Sequence, residues 1–175
     1  MNIFAISSIP SRCVRALDDR RLVKSVLENA QLLSTALGVG YKPTHANHPV
    51  TLWVGADAIN TIWTLDLFEV SCLEYTMRFK RKHACEEMSK LFRDTIGVKR
   101  QIPVSAPTSF QNSARNTKSG LDFTHLPAHL AYILYLEAKW QQDSEGGRPP
   151  KWTGVVAPFV MLDKLKAKYS NHLQA

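Results

Sequence analysis

The sequence predicts a mostly α-helical fold: a single compact helical domain over residues 1–175, with a short N-terminal extended arm and a long central loop. Apolar residues recur every three or four positions through most of the chain, which is the spacing of a helix that buries one face. Hydrophobic residues make up 45% of the chain, and a domain of this length can bury a sizeable core with them. Glycines and prolines fall between the periodic segments and mark their ends.

The individual elements follow in order from these patterns. The segment "NIFAIS" predicts a short strand or an extended arm, which Pro10 ends. The first helical stretch stops at Gly38 and Gly40, and Gly55 is a potential interruption of the next one. Residues 98–126 are rich in proline, serine, asparagine and threonine, and a loop of this length in a compact domain is often functional. The predicted helices cover 14–37, about 51–82, 83–96, 126–143 and 157–173.

The charge of the chain favours a polyanionic partner. Lysine and arginine number 22 against 15 aspartates and glutamates, which leaves a net charge of +7. Such an excess attracts nucleic acid, although it says nothing about the fold. We therefore expect nucleic acid as the natural partner of this protein.

The cysteines and the apolar segments indicate a compartment. Cys13, Cys72 and Cys85 are odd in number and show no paired spacing, which argues against a disulfide scaffold and for a reducing compartment. The start "MNIFAISSIPSR" lacks a basic segment followed by a long apolar run, so it does not predict a signal peptide. Nor does any stretch approach the roughly 18 apolar residues of a membrane span. We expect a cytoplasmic protein with no membrane partner.

The stretch "LDDRRLVKSVLENAQLLSTAL" (17–37) is amphipathic and places one carboxylate inside a basic stripe. One side carries Arg20, Arg21, Lys24, Glu28 and Gln31, and the other carries Leu22, Val26, Ala30, Leu33 and Leu37. Two interpretations remain open. Glu28 either forms an ordinary surface pair with Lys24 four residues earlier, or it is a catalytic acid within a surface that tracks phosphates.

The same stretch carries a resemblance to a known family. "DDRRLVKSVLENAQLL" resembles the first helix of the phage-type pyrimidine-dimer DNA glycosylase/AP-lyase family, the endonuclease V of UV repair, and Glu28 falls on that family's catalytic glutamate. Near the C-terminus, "RPPKW" (148–152) is similar to an Arg-Pro-x-Trp element of the family. The N-terminal third also resembles uncharacterised small phage proteins, which would place the protein in the host cytoplasm.

The resemblance implies a specific reaction on double-stranded DNA, with no metal and no cofactor. The N-terminal α-amine, belonging to Met1 or to Asn2 after methionine removal, would attack C1′ of a damaged or modified pyrimidine nucleotide. The resulting Schiff base would permit β-elimination at the 3′ phosphate, and Glu28 would stabilise the cationic intermediate. An α-amine has an ordinary pKa of about 7.7–8.0, and nearby cations would lower it further.

Three further polar segments offer binding residues. "THANHP" supplies histidines before a helix, "FQNSARNTKSG" supplies arginine and asparagine suited to phosphates and base edges, and "GGRPPKW" combines cations with an aromatic ring suited to a flipped base. With the helix cations Arg20, Arg21 and Lys24, the expected DNA-binding residues are Lys42, His45, Asn47, His48, Asn112, Arg115, Asn116, Lys118, Arg148, Lys151 and Trp152.

Structural alternatives stay open for these segments. Asn47 would cap the next helix while His45 and His48 bond to backbone, the central polar loop would be solvated, and Trp152 would be a buried anchor. A zinc site joining these histidines to cysteines lacks any recognised spacing. Two other functions also stay open: a nucleotide or DNA-base modification enzyme centred on His45 and His48, and a non-catalytic DNA-binding protein.

Overall fold

The computed structural model describes residues 2–97 and 107–173, and it confirms the predicted mostly α-helical fold. Within these ranges the only strands are β1 and β2, which pair antiparallel with Arg115 opposite Asp122. This small hairpin lies in the predicted central loop, whose residues 98–106 are outside the described part of the chain. The elements are α1 (Pro10–Ala16), α2 (Asp19–Leu37), α3 (Pro49–Ala56), α4 (Ala58–Phe79), α5 (Met88–Ile96), β1 (Arg115–Asn116), β2 (Leu121–Asp122), α6 (Ala128–Glu145), α7 (Phe159–Lys166) and α8 (Ser170–Leu173).

The predicted helix over 14–37 is wrong in its first part, because the chain breaks between α1 and α2. Asp18 takes an extended conformation, and its carboxylate accepts hydrogen bonds from the backbone N–H groups of Arg20 and Arg21. An aspartate in this position satisfies the free donors of a new helix and so competes with continuing the old one. The buried Arg78 side chain of α4 donates to the Leu17 carbonyl at 2.8 Å and stabilises the break.

The predicted helix over about 51–82 is also divided, but at Asp57 and not at Gly55. Asp57 is extended and its side chain accepts from the backbone N–H of Ile59, which starts α4. The region predicted as a helix over 83–96 begins with a 3₁₀ turn, Ala84–Glu87, before α5. The last predicted helix is similarly broken into α7, a 3₁₀ turn over Ala167–Tyr169, and α8.

The N-terminal arm forms neither helix nor strand over residues 2–5, turns at Phe4 instead of staying extended as predicted, and lies inside the protein. Ile3, Ala5 and Ile6 are buried in the core formed with α1, α3, α6 and α7. A second group of buried residues joins the apolar face of α2 to α4 and α5, and Val26, Ala30 and Leu33 are fully buried there, as the stripe predicted. Helix α2 therefore has its apolar side in the core and its charged side facing out. Within the described residues, no helix has both the length and the apolar character needed to cross a bilayer.

Candidate active site

A cavity of about 360 Å³ opens where the N-terminal arm meets α2 and α6. We call it the Glu28 cavity. Most of its lining side chains are charged or polar. The lining residues that the sequence analysis proposed as catalytic or DNA-binding are Asn2, Arg20, Arg21, Lys24, Glu28, His48, Arg115 and Asn116. The lining residues that the sequence analysis missed are Phe4, Ser113, Tyr135, Lys139 and Asp143.

The arm brings the second residue of the chain onto Glu28. The backbone N–H of Asn2 donates to Glu28 Oε2 at 3.3 Å, and the Asn2 side-chain amide donates to the Ser113 carbonyl at 3.1 Å. The buried side chains of Ile3 and Ala5 anchor the backbone that follows. The segment before α2 therefore folds so that residue 2 reaches Glu28. Met1, the other predicted carrier of the amine, lies outside the described residues.

Glu28 lies inside the cavity wall, with only 13% of its side chain exposed. Lys24 Nζ lies 3.3 Å from Glu28 Oε1, so the surface pair foreseen from the sequence is present. Lys24 itself is largely exposed, and an exposed pair at this spacing contributes only about 0.3–0.5 kcal/mol. The foreseen pair is therefore a weak one, while the Glu28 carboxylate itself is mostly removed from water.

The two arginines of α2 are oriented by carboxylates. Arg21 donates to Asp18 at 2.6 Å and to Asp143 at 2.8 Å, and Trp140 Nε1 donates to the same Asp18 carboxylate at 2.8 Å. Arg20 reaches Asp143 at 3.4 Å. Burial raises the pKa of Asp143, but the hydrogen bond and the charge of Arg21 outweigh it and keep that pKa below its ordinary value. These ion pairs tie α2 to α6 along one wall of the cavity.

Helix α6 contributes a stripe that the sequence analysis treated only as part of a helix. Tyr135, Lys139 and Asp143 are four residues apart and all line the cavity, since residues at this spacing share one helix face. Burial raises the pKa of the Tyr135 hydroxyl, which also bonds to the Asn116 side chain. The available signal was the recurrence of polar groups at i, i+4 and i+8 along this helix.

Phe4 forms an aromatic part of the wall in an unusual backbone conformation. Its φ is 42°, a value that side-chain-bearing residues adopt only rarely. The ring lies 6.2 Å from the Tyr135 ring and 6.3 Å from the Tyr132 ring, measured between centroids. Strained residues persist where their surroundings demand the conformation, and they concentrate at functional sites. Sequence reasoning had no signal for this, because φ depends on how the arm packs.

His48 is the only member of its loop that reaches the cavity, as far as the described residues show. It also caps α3, because the Val50 N–H donates to His48 Nδ1 at 3.2 Å. The alternative in which Asn47 caps this helix is therefore wrong. Since Nδ1 accepts, the neutral ring carries its proton on Nε2. Burial lowers the pKa of His48, and the charge of His45 adds to that effect. Lys42, His45 and Asn47 are exposed and do not line the cavity.

The polar loop around β1 divides between the cavity and the scaffold. Arg115 and Asn116 line the cavity, and Lys118 is exposed away from it. Asn112 serves the fold instead: its side-chain amide donates to the carbonyls of Phe123 and Leu126. Two of the four candidate side chains of this loop therefore lie at the cavity, and a function for the loop stays a prediction.

The "GGRPPKW" segment lies outside the cavity. The Trp152 ring packs 5.1 Å from the Trp140 ring, measured between centroids, and its Nε1 donates to the Ala16 carbonyl at 3.3 Å. Trp152 therefore anchors the chain, which is the structural alternative given for it above. Arg148 and Lys151 are exposed and border a separate cleft beside the start of α2, which they share with Arg20. Any contact of these two cations with DNA would therefore lie beside the Glu28 cavity and not within it.

No group of three or more histidine, cysteine, aspartate or glutamate side chains in the described chain is arranged to hold a metal ion. Cys13, Cys72 and Cys85 are buried free thiols. Comparison of the chain with protein-family models, with curated proteins and with solved structures returned no match.

Proposed function

We propose that this protein is a DNA glycosylase with AP-lyase activity, which excises a damaged or modified pyrimidine from duplex DNA in the cytoplasm through a Schiff base on its N-terminal amine. The observation that carries the proposal is the 3.3 Å contact between the backbone nitrogen of Asn2 and the Glu28 carboxylate. If Met1 is removed, that nitrogen is the α-amine. If Met1 is retained, the amine belongs to the residue immediately before Asn2, whose backbone is already anchored at Glu28.

The surroundings of Glu28 suit the charge that this reaction develops. When the amine attacks C1′, the bond from C1′ to the base breaks and the base leaves, while the nitrogen loses a proton. The bond from C1′ to the ring oxygen O4′ then breaks, O4′ takes up a proton, and C1′ and the nitrogen form an open-chain iminium. A carboxylate beside that nitrogen accepts the first proton, passes it to O4′, and as the restored anion stabilises the iminium cation. Glu28 is mostly buried, so its charge acts in a less polar medium than water and is correspondingly more effective.

The cavity also suits a nucleotide taken out of the helix stack. Enzymes that act at the glycosidic bond extrude the target nucleotide and hold the base against aromatic and polar side chains. Phe4 and Tyr135 provide the aromatic rings here, and Asn116 provides a side-chain amide. Lys24, Lys139 and Arg115 line the same cavity, and their positive charges support binding of the phosphates on either side of the nucleotide.

The direct test is borohydride trapping of the protein on duplex DNA that contains an abasic site, followed by peptide mass mapping of the crosslink. We expect a crosslink on the N-terminal residue, reduced by at least about 100-fold in Glu28→Gln. Glu87→Gln removes the same charge from an exposed position away from the cavity and is the matched control. A crosslink on Lys24 or Lys139 would keep the lyase and replace the nucleophile, whereas binding without any crosslink would exclude the imine route.

One observation favours a second candidate, a nucleotide or DNA-base modification enzyme. His48 lines the cavity, and burial lowers its pKa, which favours the neutral imidazole. In that case His48→Asn would abolish turnover, a blocked N-terminal amine would not matter, and intact duplex would not be nicked. A non-catalytic DNA-binding protein would instead bind DNA as well or better after Glu28→Gln and would form no crosslink in either form.

A further inference from the structure

A second concave surface lies between α1 and α7 and differs from the Glu28 cavity in its chemistry. It is a groove of about 580 Å³, and we call it the α1–α7 groove. Its floor is aliphatic and its rim is cationic. The residues that line it are Arg12, Arg15, Val156, Ala157, Pro158, Val160, Met161, Lys164, Leu165 and Lys168.

Two of the apolar side chains that line the groove are unusually exposed to water. Val156 is 91% exposed and Val160 is 70% exposed. A single exposed valine needs no explanation, but several apolar side chains gathered in one groove indicate a binding surface. A helix that lays one apolar face into such a groove would cover them, in the manner of helix-in-groove recognition.

The cations at the rim of the groove indicate that a bound partner carries negative charge. Arg12 and Arg15 on one side and Lys164 and Lys168 on the other are exposed, and no carboxylate is among the residues that line the groove. None of the four cations has an ion-pair partner in the described part of the chain. The one acidic residue of α7, Asp163, is paired with Lys166 at 3.1 Å and does not line the groove. Four unneutralised cations around an apolar floor complement an acidic amphipathic segment.

The floor argues against nucleic acid as the occupant. Reading base edges requires polar side chains, and binding single strands requires aromatic rings on which bases stack. The groove is lined by aliphatic and cationic side chains only.

We propose that the α1–α7 groove binds an acidic amphipathic helix of a partner protein, with apolar side chains on Val156 and Val160 and carboxylates on the four rim cations. This surface is independent of the Glu28 cavity and of whatever reaction occurs there.

The test is a display selection on the full-length protein from a random library of peptides about 16 residues long, which is roughly 24 Å as a helix. A parallel selection on Val160→Asp is the matched control, since Val160 is exposed and the change leaves the core intact. We expect peptides enriched on the wild type to combine aspartate or glutamate with apolar residues at i, i+3 and i+4. Their affinity should fall about tenfold or more for Val160→Asp.

Charge reversal completes the test. The double variant Arg12→Glu, Lys164→Glu should lose the selected acidic peptides and bind versions in which lysine replaces each acidic residue. Circular dichroism of both variants checks that the fold is retained. The proposal is overturned if nothing is enriched over the Val160→Asp control, or if the enriched peptides are not acidic. It is equally overturned if the double variant loses affinity for labelled duplex DNA, because the groove would then be a DNA surface.

Discussion

In the Glu28 cavity both arginines of α2 meet a carboxylate, whereas the four rim cations of the α1–α7 groove meet none within the described residues. Both surfaces are basic, but in the cavity the two α2 arginines are held by ion pairs, whereas the cations of the groove are exposed to water. Each carboxylate that holds an arginine also reduces the net positive charge, and with it the attraction for phosphates. Chemistry at one atom requires fixed groups, while binding a helix along a groove tolerates mobile ones. The difference supports the proposed reaction in the cavity and the proposed recognition in the groove.

The largest effect that we expect from a single substitution is the loss of the proposed chemistry in the cavity. Glu28→Gln keeps the size of the side chain and removes its charge, so we expect trapping on abasic duplex to fall by about 10²–10⁴-fold. Duplex binding should stay equal or become tighter, because a negative charge is removed from a basic surface. Filter binding and trapping on the same preparation measure the two quantities. Equal losses of both would mean that Glu28 acts on the fold and not on the reaction.

The next effect concerns stability at the start of α2. Asp18 is buried, caps α2, pairs with Arg21 and accepts from Trp140 Nε1. Asp18→Ala removes all these bonds, and we expect the free energy of unfolding to fall by about 3 kcal/mol. Arg12→Ala in the groove should change it by no more than about 0.5 kcal/mol. Urea denaturation of both variants tests the contrast, and comparable losses would contradict it.

A smaller effect concerns the salt dependence of DNA binding. Arg115 lines the cavity, and Arg115→Gln should reduce the slope of log affinity against log salt by about 1, as for the loss of one phosphate contact. Arg15→Gln removes the same charge from the α1–α7 groove and should leave the slope unchanged. Fluorescence titrations of one labelled duplex at several salt concentrations give both slopes. Equal changes would mean that DNA covers both surfaces.

The smallest effect is a pH dependence of stability that separates two similar histidines. His48 and His83 each cap a helical segment through Nδ1, and burial lowers the pKa of both. The unfolded chain therefore takes up a proton first as the pH falls below about 6.5, and stability decreases until the pH is below the folded pKa. His48→Asn and His83→Asn retain a capping side chain without titrating.

We expect each histidine variant to lose less stability than the wild type between about pH 7 and pH 5. Thermal denaturation at both pH values measures this difference. Only His48→Asn should also alter trapping, because His83 does not line the cavity. If the pH dependence of both variants matches that of the wild type, these two groups do not govern it.

The sequence was sufficient for those features that depend on neighbouring residues. The buried face of α2 follows from the spacing of Leu22, Val26 and Ala30, and it is present as predicted. The breaks at Asp18 and Asp57 were missed although both aspartates are visible in the sequence. The helical spacing of apolar residues continues on both sides of each aspartate, so it gives no sign of a break. The break is made by the aspartate side chain alone, which accepts hydrogen bonds from the backbone and caps the next helix.

The site itself depends on contacts between distant residues. Spacing along α2 was enough to single out Glu28 in a basic stripe, and the residue types alone marked Arg115 and Asn116 as polar loop candidates. Tyr135, Lys139 and Asp143 were overlooked because their common face becomes meaningful only when α6 packs beside α2. Trp152 was placed among the binding residues, yet its ring packs on Trp140, since an aromatic residue next to cations has the same sequence signature in either role.

By itself, then, the sequence determined the mostly helical character of the chain, the apolar face of α2, the basic net charge and the position of one carboxylate among cations. Only the tertiary structure decided that Asn2 lies 3.3 Å from Glu28, a residue 26 positions later. The physical reason is that helix periodicity is a local property, whereas the path of the arm is set by burying Ile3 and Ala5 against several helices at once. The same burial places Phe4 in its strained conformation and closes the cavity around the candidate nucleophile.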